Sequence, residues 1–340
     1  MADFARHYWT ALPDLFKTTY FTYKGLIGRA DLEEAGPVCG AALDAGGSPP
    51  RDVVFLRTEP ERFSDGVVLR EGLALRCRLH GGDAASKPRP VVVVIRDSAF
   101  EGAQLSARAP SCLAYLGREF LVADVEHRGY CEGGGFPVAL RDVAAAVRAV
   151  AELAPGLGGD PARLCLFGSG SGAWLAAMAA LVGACGDETI VDDLLGGPPL
   201  AVAAAVCEAG PVGGFAALDA MAGGGGAARH GAAHSPASRF LGFPAPADPW
   251  RAARADPATY ATARAPPLLL VHGADDPVWP CGQSAALHAA LEAVAPGRCR
   301  LDVVAGAGHA TPHFAAPPVR EAELAFLRDA VGEPAADAAA

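Results

Sequence analysis

Apolar residues along the chain gather into short runs of four to seven positions, separated by longer stretches with helical spacing. Val53–Thr58 and Leu73–Leu79 predict early strands. Val91–Ile95 is an unbroken β-branched run, which predicts a strand covered on both faces. Phe120–Val125, Leu164–Phe167, Ala201–Cys207, Leu268–His272 and Leu301–Val304 predict further strands. Arg141–Leu153 is amphipathic at helical spacing, a small-residue helix begins near Ala173, and Glu321–Val331 predicts a terminal helix. Strands alternating with helices over this length predict a mostly parallel central sheet with helices on both faces, the α/β class.

The ends read differently. Residues 1–50 are predicted as an N-terminal helical extension and linker. Phe4, Tyr8, Leu12, Leu15 and Phe16 share a helical spacing interrupted by Pro13, and Gly36, Pro37, Gly46, Gly47, Pro49 and Pro50 follow. This extension is read either as a helix packed on the domain or as a cap over a pocket. Residues 51–333 form the main domain, with a glycine-rich insertion within 185–260 centred on Gly223–Gly226, and 334–340 are expected to be a disordered tail.

Composition changes this picture little. The chain has 340 residues, 51% of them hydrophobic, enough for a large core, and its net charge of −10 argues against nucleic acid or an anionic membrane surface as a partner. The longest apolar run, Ala173–Cys185, is too short for a membrane span. Nine cysteines, an odd number without a C-x-x-C pair, fit a reducing compartment, and no signal peptide is evident, so a cytoplasmic location is expected. No metal or cofactor is expected. Gly168–Gly172 has the wrong spacing for a dinucleotide fingerprint. Oligomeric state is not legible.

The chemistry concentrates in three loops that each follow a predicted strand. Residues 159–176 run strand, glycine-rich turn and helix, the setting of a nucleophile elbow. His272-Gly273-Ala274-Asp275-Asp276-Pro277-Val278-Trp279-Pro280 and Gly306-Ala307-Gly308-His309 follow the last two strands. These motifs, in this order, resemble the α/β-hydrolase superfamily, and within it the carboxylesterase and feruloyl-esterase-like branch of BD-FAE type. Val125-Glu126-His127-Arg128, Phe136-Pro137 with Asp142, Cys207-Glu208-Ala209-Gly210-Pro211, Ser235–Gly242 and Asp256-Pro257 extend the resemblance over roughly residues 65–331.

The resemblance implies an α/β-hydrolase fold, a small carbonyl- or ester-containing ligand, and a catalytic pair of Asp276 and His309. Asp275 is expected to be solvated, and His313 is the alternative histidine. A buried aspartate on Nδ1 would fix the imidazole tautomer and favour imidazolium. Two departures stand out. Laid on the elbow without a gap, the family's serine falls on Gly170; a one-residue slip would make Ser171 the nucleophile, and Ser169 would put Phe167 where a small residue is needed. Where the family has H-G-G-x-[FW], this chain reads Arg96-Asp97-Ser98-Ala99-Phe100, with both glycines absent. Asp97 would oppose an oxyanion, unless Arg96 offsets its charge or both face solvent. Candidate catalytic residues are therefore His309, Asp276 and Ser171, and candidate ligand-binding residues Gly170, Ser169, Arg96, Asp97, Ser98 and Phe100. Three readings follow: an enzyme using the Asp276–His309 pair without a serine, with hydrolysis by water or lyase- or isomerase-type chemistry; a binding or regulatory protein that keeps the old pocket; and a conventional esterase using Ser171.

Overall fold

The computed structural model describes residues 51–57, 61–62, 68–70, 74–80, 87–103, 110, 112–221, 230–309 and 312–332. The expectations for residues 1–50, for the stretch around Gly223–Gly226 and for the tail 334–340 lie outside the described residues.

Eight strands form one sheet: β1 (Arg51–Arg57), β2 (Ala74–His80), β3 (Arg89–Ile95), β4 (Leu121–Val125), β5 (Gly159–Ser169), β6 (Ala204–Glu208), β7 (Leu268–Gly273) and β8 (Cys299–Val304). Their spatial order is β1-β2-β4-β3-β5-β6-β7-β8. β2 is antiparallel to β1 and β4, and every pairing from β4 onward is parallel. Each strand predicted from the sequence has its counterpart. β5 runs further than Leu164–Phe167, and β6 starts later than Ala201.

β3 shows how composition selects this arrangement. Its valines and isoleucine are almost fully enclosed. Val91, Val93 and Ile95 enter one core, whereas Val92 and Val94 enter a second core on the opposite face. Alternate side chains point to opposite faces, so a strand covered on both must be apolar throughout.

The first core lies under α2 (Val138–Leu153) and α3 (Ser171–Ala184); the second lies under α1 (Cys112–Leu116) and α6 (Pro317–Val331). Two further helices, α4 (Glu188–Leu195) and α5 (Gly282–Val294), add to the cover, with short helical turns between β6 and β7. Pro137 stands at the N-cap of α2, so this helix begins three residues before the expected Arg141. α3 is enclosed all round from Ser171 to Val182, which suits its Ala- and Gly-rich sequence. The chain thus packs a single α3 tightly beneath the sheet edge where the parallel strands end.

Candidate active site

The loops after β3, β5, β7 and β8 meet at the carboxyl edge of the sheet, where open α/β sheets bind ligands. After β5 the chain turns sharply into α3. Gly170 is the pivot, at φ 54 and ψ −122, in a region that costs a side-chain-bearing residue about 1 kcal/mol or more. Its flanks are equally constrained. A methyl group on Gly168 would lie 2.2 Å from the Gly172 carbonyl oxygen, and one on Gly172 would lie 2.1 Å from that of Ile95. The tight elbow is therefore centred on Gly170, with glycines two before and two after. Ser171 is the first residue of α3 and Ser169 the last of β5.

The position left bare by Gly170 is filled from another loop. A Cβ built on Gly170 would fall 2.2 Å from Cγ of Asp97. Oδ1 of Asp97 accepts hydrogen bonds from the backbone N–H of Ser171 (3.0 Å), the backbone N–H of Ala99 (3.0 Å) and the hydroxyl of Ser171 (2.9 Å). Convergent backbone donors at the start of a helix are the usual receptacle for a developing oxyanion. Here they hold a carboxylate of the chain itself. Its other oxygen, Oδ2, stands 3.6 Å from Nε2 of His309, and the Asp97 side chain is 30% exposed.

His309 and Asp276 lie together as their motifs imply. Nδ1 of His309 is 2.9 Å from Oδ2 of Asp276. Asp276 is fixed in turn, because its Oδ1 accepts from the backbone N–H groups of Val278 (2.8 Å) and Trp279 (2.9 Å). His313, the alternative, is exposed on the turn Pro312–Ala315, and Asp275 is exposed as expected.

His309 thus stands between two carboxylates. Burial alone would push its pKa down, but Asp276 and Asp97 outweigh that and raise it to about 10. Burial would push Asp97 up, yet His309 and the N–H groups of Ala99 and Ser171 hold it at about 2. Asp276 is likewise held well below the carboxylate range, against its burial, by His272 and His309. At neutral pH the site is a carboxylate–imidazolium–carboxylate row. Among the described residues Nε2–H of His309 makes no hydrogen bond; the Asp97 carboxylate at 3.6 Å is an ion-pair partner.

Two expected ligand contacts, Arg96 and Phe100, and the catalytic candidate Ser171 have other partners. Arg96 does not offset Asp97: its guanidinium turns away to form a buried bidentate pair with Asp124 beneath the loop. Phe100 is enclosed, stacked on Phe240 at 4.3 Å and edge-on to Trp174 and Trp279, so it anchors the loop and offers no face to a ligand. The Ser171 hydroxyl is fully buried, donating to Asp97 and accepting from the backbone N–H of Ser98 at 2.9 Å. The described hydrogen bonds do not link it, or Ser169, to His309. Ser98 places its hydroxyl 3.4 Å from that of Ser171.

Sequence reasoning missed two neighbours. His272, on β7, bonds Ser284 and the Trp279 carbonyl and lies 3.4 Å from Asp276. His230 stacks on Trp279 at 4.5 Å. The first was visible as the histidine of the H-G-x-x-D motif; nothing marked the second. Among the described residues, no group of three or more His, Cys, Asp or Glu is placed to hold a metal ion, and no helix is long and apolar enough to cross a membrane.

Solved structures of similar fold include a truncated carbohydrate esterase from gut microbiota, with a TM-score of 0.68 at 21% identity, covering 84% of this chain and 98% of that one. A bifunctional GH43-CE protein of Bacteroides eggerthii gives 0.63 at 23% identity over 82% of this chain and 39% of that one. The propionate-bound esterase Est2 of Thermogutta terrifontis gives 0.60 at 18% identity over 84% and 96%. Identities this low establish the fold, an α/β-hydrolase fold. No curated protein matches the chain. The BD-FAE family model matches residues 79–291, which span the elbow, the Asp97 loop and Asp276, and on that match the chain belongs to the BD-FAE family of α/β-hydrolase-like esterases.

Proposed function

We propose that this chain is a hydrolase-class enzyme acting on a small ester- or carbonyl-like molecule, in which His309, oriented by Asp276, transfers protons and no serine forms an acyl-enzyme. One observation carries the reading: the elbow pivot is Gly170, and its missing side chain is replaced in space by Asp97. Glycine has no atom with which to attack, and the Ser171 hydroxyl is buried between Asp97 Oδ1 and the Ser98 N–H.

The charge state favours His309 as an acid at the outset. With its pKa near 10, Nε2 carries a proton at neutral pH and faces the carboxylate of Asp97 across an open gap. A conventional serine esterase needs the opposite, a neutral imidazole. Asp276 accepts from Nδ1 and so orients Nε2 toward the site.

The test is direct. A fluorophosphonate probe should leave no covalent adduct on the protein. Hydrolysis of short p-nitrophenyl esters should be slow and should fall by roughly 100-fold or more in His309→Gln. Its rate should stay level through neutral pH and decline as pH rises through about 10. A probe adduct mapped to Ser171, or activity indifferent to His309→Gln, would overturn the reading. The filled oxyanion site also supports a second reading, a ligand-binding protein without turnover. Ligand binding that persists with no His309-dependent hydrolysis would favour it.

A further inference from the structure

The turn Asp276–Trp279 carries the carboxylate that orients His309, and its backbone is buried with it. Val278 and Trp279 are fully enclosed, so their carbonyl oxygens need donors as much as their N–H groups need acceptors. The N–H groups are used inward, on Oδ1 of Asp276 at 2.8 and 2.9 Å. The carbonyls are met from outside by two buried histidines. Nε2 of His230 lies 2.7 Å from the Val278 carbonyl oxygen, and Nε2 of His272 lies 2.7 Å from that of Trp279. A carbonyl oxygen only accepts, so each Nε2 carries a hydrogen. The two contacts reach Asp276 by different routes. The Val278 carbonyl and the Trp279 N–H are opposite ends of one trans peptide plane. A single chain of hydrogen bonds therefore runs from His230 through that peptide to Oδ1, each bond polarising the next. His272 ties down the following peptide, and its Nε2 also stands 3.4 Å from Oδ2, the oxygen that holds His309. Both rings are themselves fixed. Ser284 of α5 lies 2.7 Å from Nδ1 of His272. His230 stacks on Trp279, its N–H donates to Asp219 at 2.7 Å, and its carbonyl accepts from the hydroxyls of Ser235 and Ser238.

From this geometry we infer that His230 and His272 are positioning residues, a two-histidine clamp on the Val278 and Trp279 carbonyls that holds the Asp276 carboxylate on Nδ1 of His309. The inference rests on His309 being the proton-transfer group and adds the residues that aim it. Asp276 and Asp97 face the imidazolium as opposite charges. His230 faces it as a neutral ring, because burial above all, with the nearby imidazolium, lowers its pKa against Asp219 and Asp276. His272 adds its N–H on the far side of Asp276. Without the clamp the two carbonyls would be buried acceptors with no donor, and the turn would shift to find one. Asp276 would then lose its aim, the imidazolium would keep only Asp97 as a close partner, and its proton would leave at a lower pH.

The His309 proton itself reads the clamp. Asparagine at either position keeps a polar amide that is too short to reach the carbonyl, whereas glutamine puts an N–H near the lost Nε2. In the full chain with isotope-labelled histidine, the NMR signal that disappears in His309→Gln should titrate at about 10. In His230→Asn and His272→Asn it should titrate about one pH unit lower or more. Their kcat on p-nitrophenyl esters should fall about 10- to 100-fold, with KM changed by less than about threefold. His230→Gln and His272→Gln should recover most of both losses. Folded asparagine variants in which His309 titrates as in the parent would overturn the clamp, and any loss of rate would then be structural. Where an asparagine variant does not fold, Ser284→Ala loosens the His272 ring alone; the same downward shift is expected, and an unmoved titration there counts equally against the clamp. Hydrolysis indifferent to His309→Gln, with the NMR shifts present, would sink the hydrolytic reading and leave the clamp standing.

Discussion

At the elbow, a side chain is missing at residue 170, and residue 97, which in sequence belongs to the oxyanion loop, occupies its place. The two changes are complementary, because a Cβ at 170 would overlap the Asp97 carboxyl. Restoring the serine alone should therefore fail. Gly170→Ser brings both the strain of the left-handed pivot and a clash with Asp97, a cost of about 1–3 kcal/mol. It should lower the melting temperature and give no fluorophosphonate labelling. With Asp97→Gly added, the clash disappears and the N–H groups of Ser171 and Ala99 are freed. The pair of changes should thus be strongly non-additive: labelling in the double variant, none in either single one. Labelling of Gly170→Ser alone would show that Asp97 yields readily and that its place in the elbow is not fixed. This coupling was not legible in the sequence. The glycine and the aspartate each stood out as departures, but only folding shows that one fills the space of the other. Arg96 misled for the same reason, since its partner Asp124 lies on a neighbouring strand.

The elements were far more legible than the contacts between them. Unbroken apolar runs located the central strands because each side chain of a buried parallel strand meets apolar atoms, as Val91–Ile95 do on alternate faces. The short α1 and the helices α4 and α5 left weaker patterns. α6 carries a feature that no pattern announced. Glu323, enclosed on this helix, accepts from the Tyr115 hydroxyl at 2.6 Å and pairs with Glu208 at the end of β6. Burial pushes both carboxyls up where α6 crosses the sheet. A carboxyl whose pKa is raised by folding contributes stability below its unfolded pKa, and that contribution is lost as pH rises through the folded value. Glu323→Gln removes a carboxyl that burial keeps from ionising and keeps an acceptor for Tyr115. The variant should melt higher than the parent at pH 8 and gain little at pH 5. Equal shifts at both pH values would show that ionisation of Glu323 does not weigh on the fold.

Across the whole molecule, the row of Asp97, His309 and Asp276 ties three loops from separate strands to one ionic state, so global stability should report on it. His309 is raised from its ordinary value near 6.5 to about 10, so the folded protein binds one more proton than the unfolded chain between those pH values. The attraction is fully present below about 6.5 and is lost as pH rises through about 10, with a total on the order of a few kcal/mol. The depression of Asp97 to about 2 is the same attraction seen from the other partner, so the two shifts are not summed. The net charge of −10 adds a diffuse repulsion that also grows with pH, and it must be separated from the local effect. Asp97→Asn makes that separation, because it removes one flank of the imidazolium and changes the overall charge by a single unit. Urea denaturation midpoints of the parent should fall steadily between pH 6.5 and 10. In Asp97→Asn the local fall should end at a lower pH, because only Asp276 then holds the imidazole proton. Superimposable pH curves would mean that Asp97 and His309 do not interact in solution, and the row of charges at the elbow would dissolve with them.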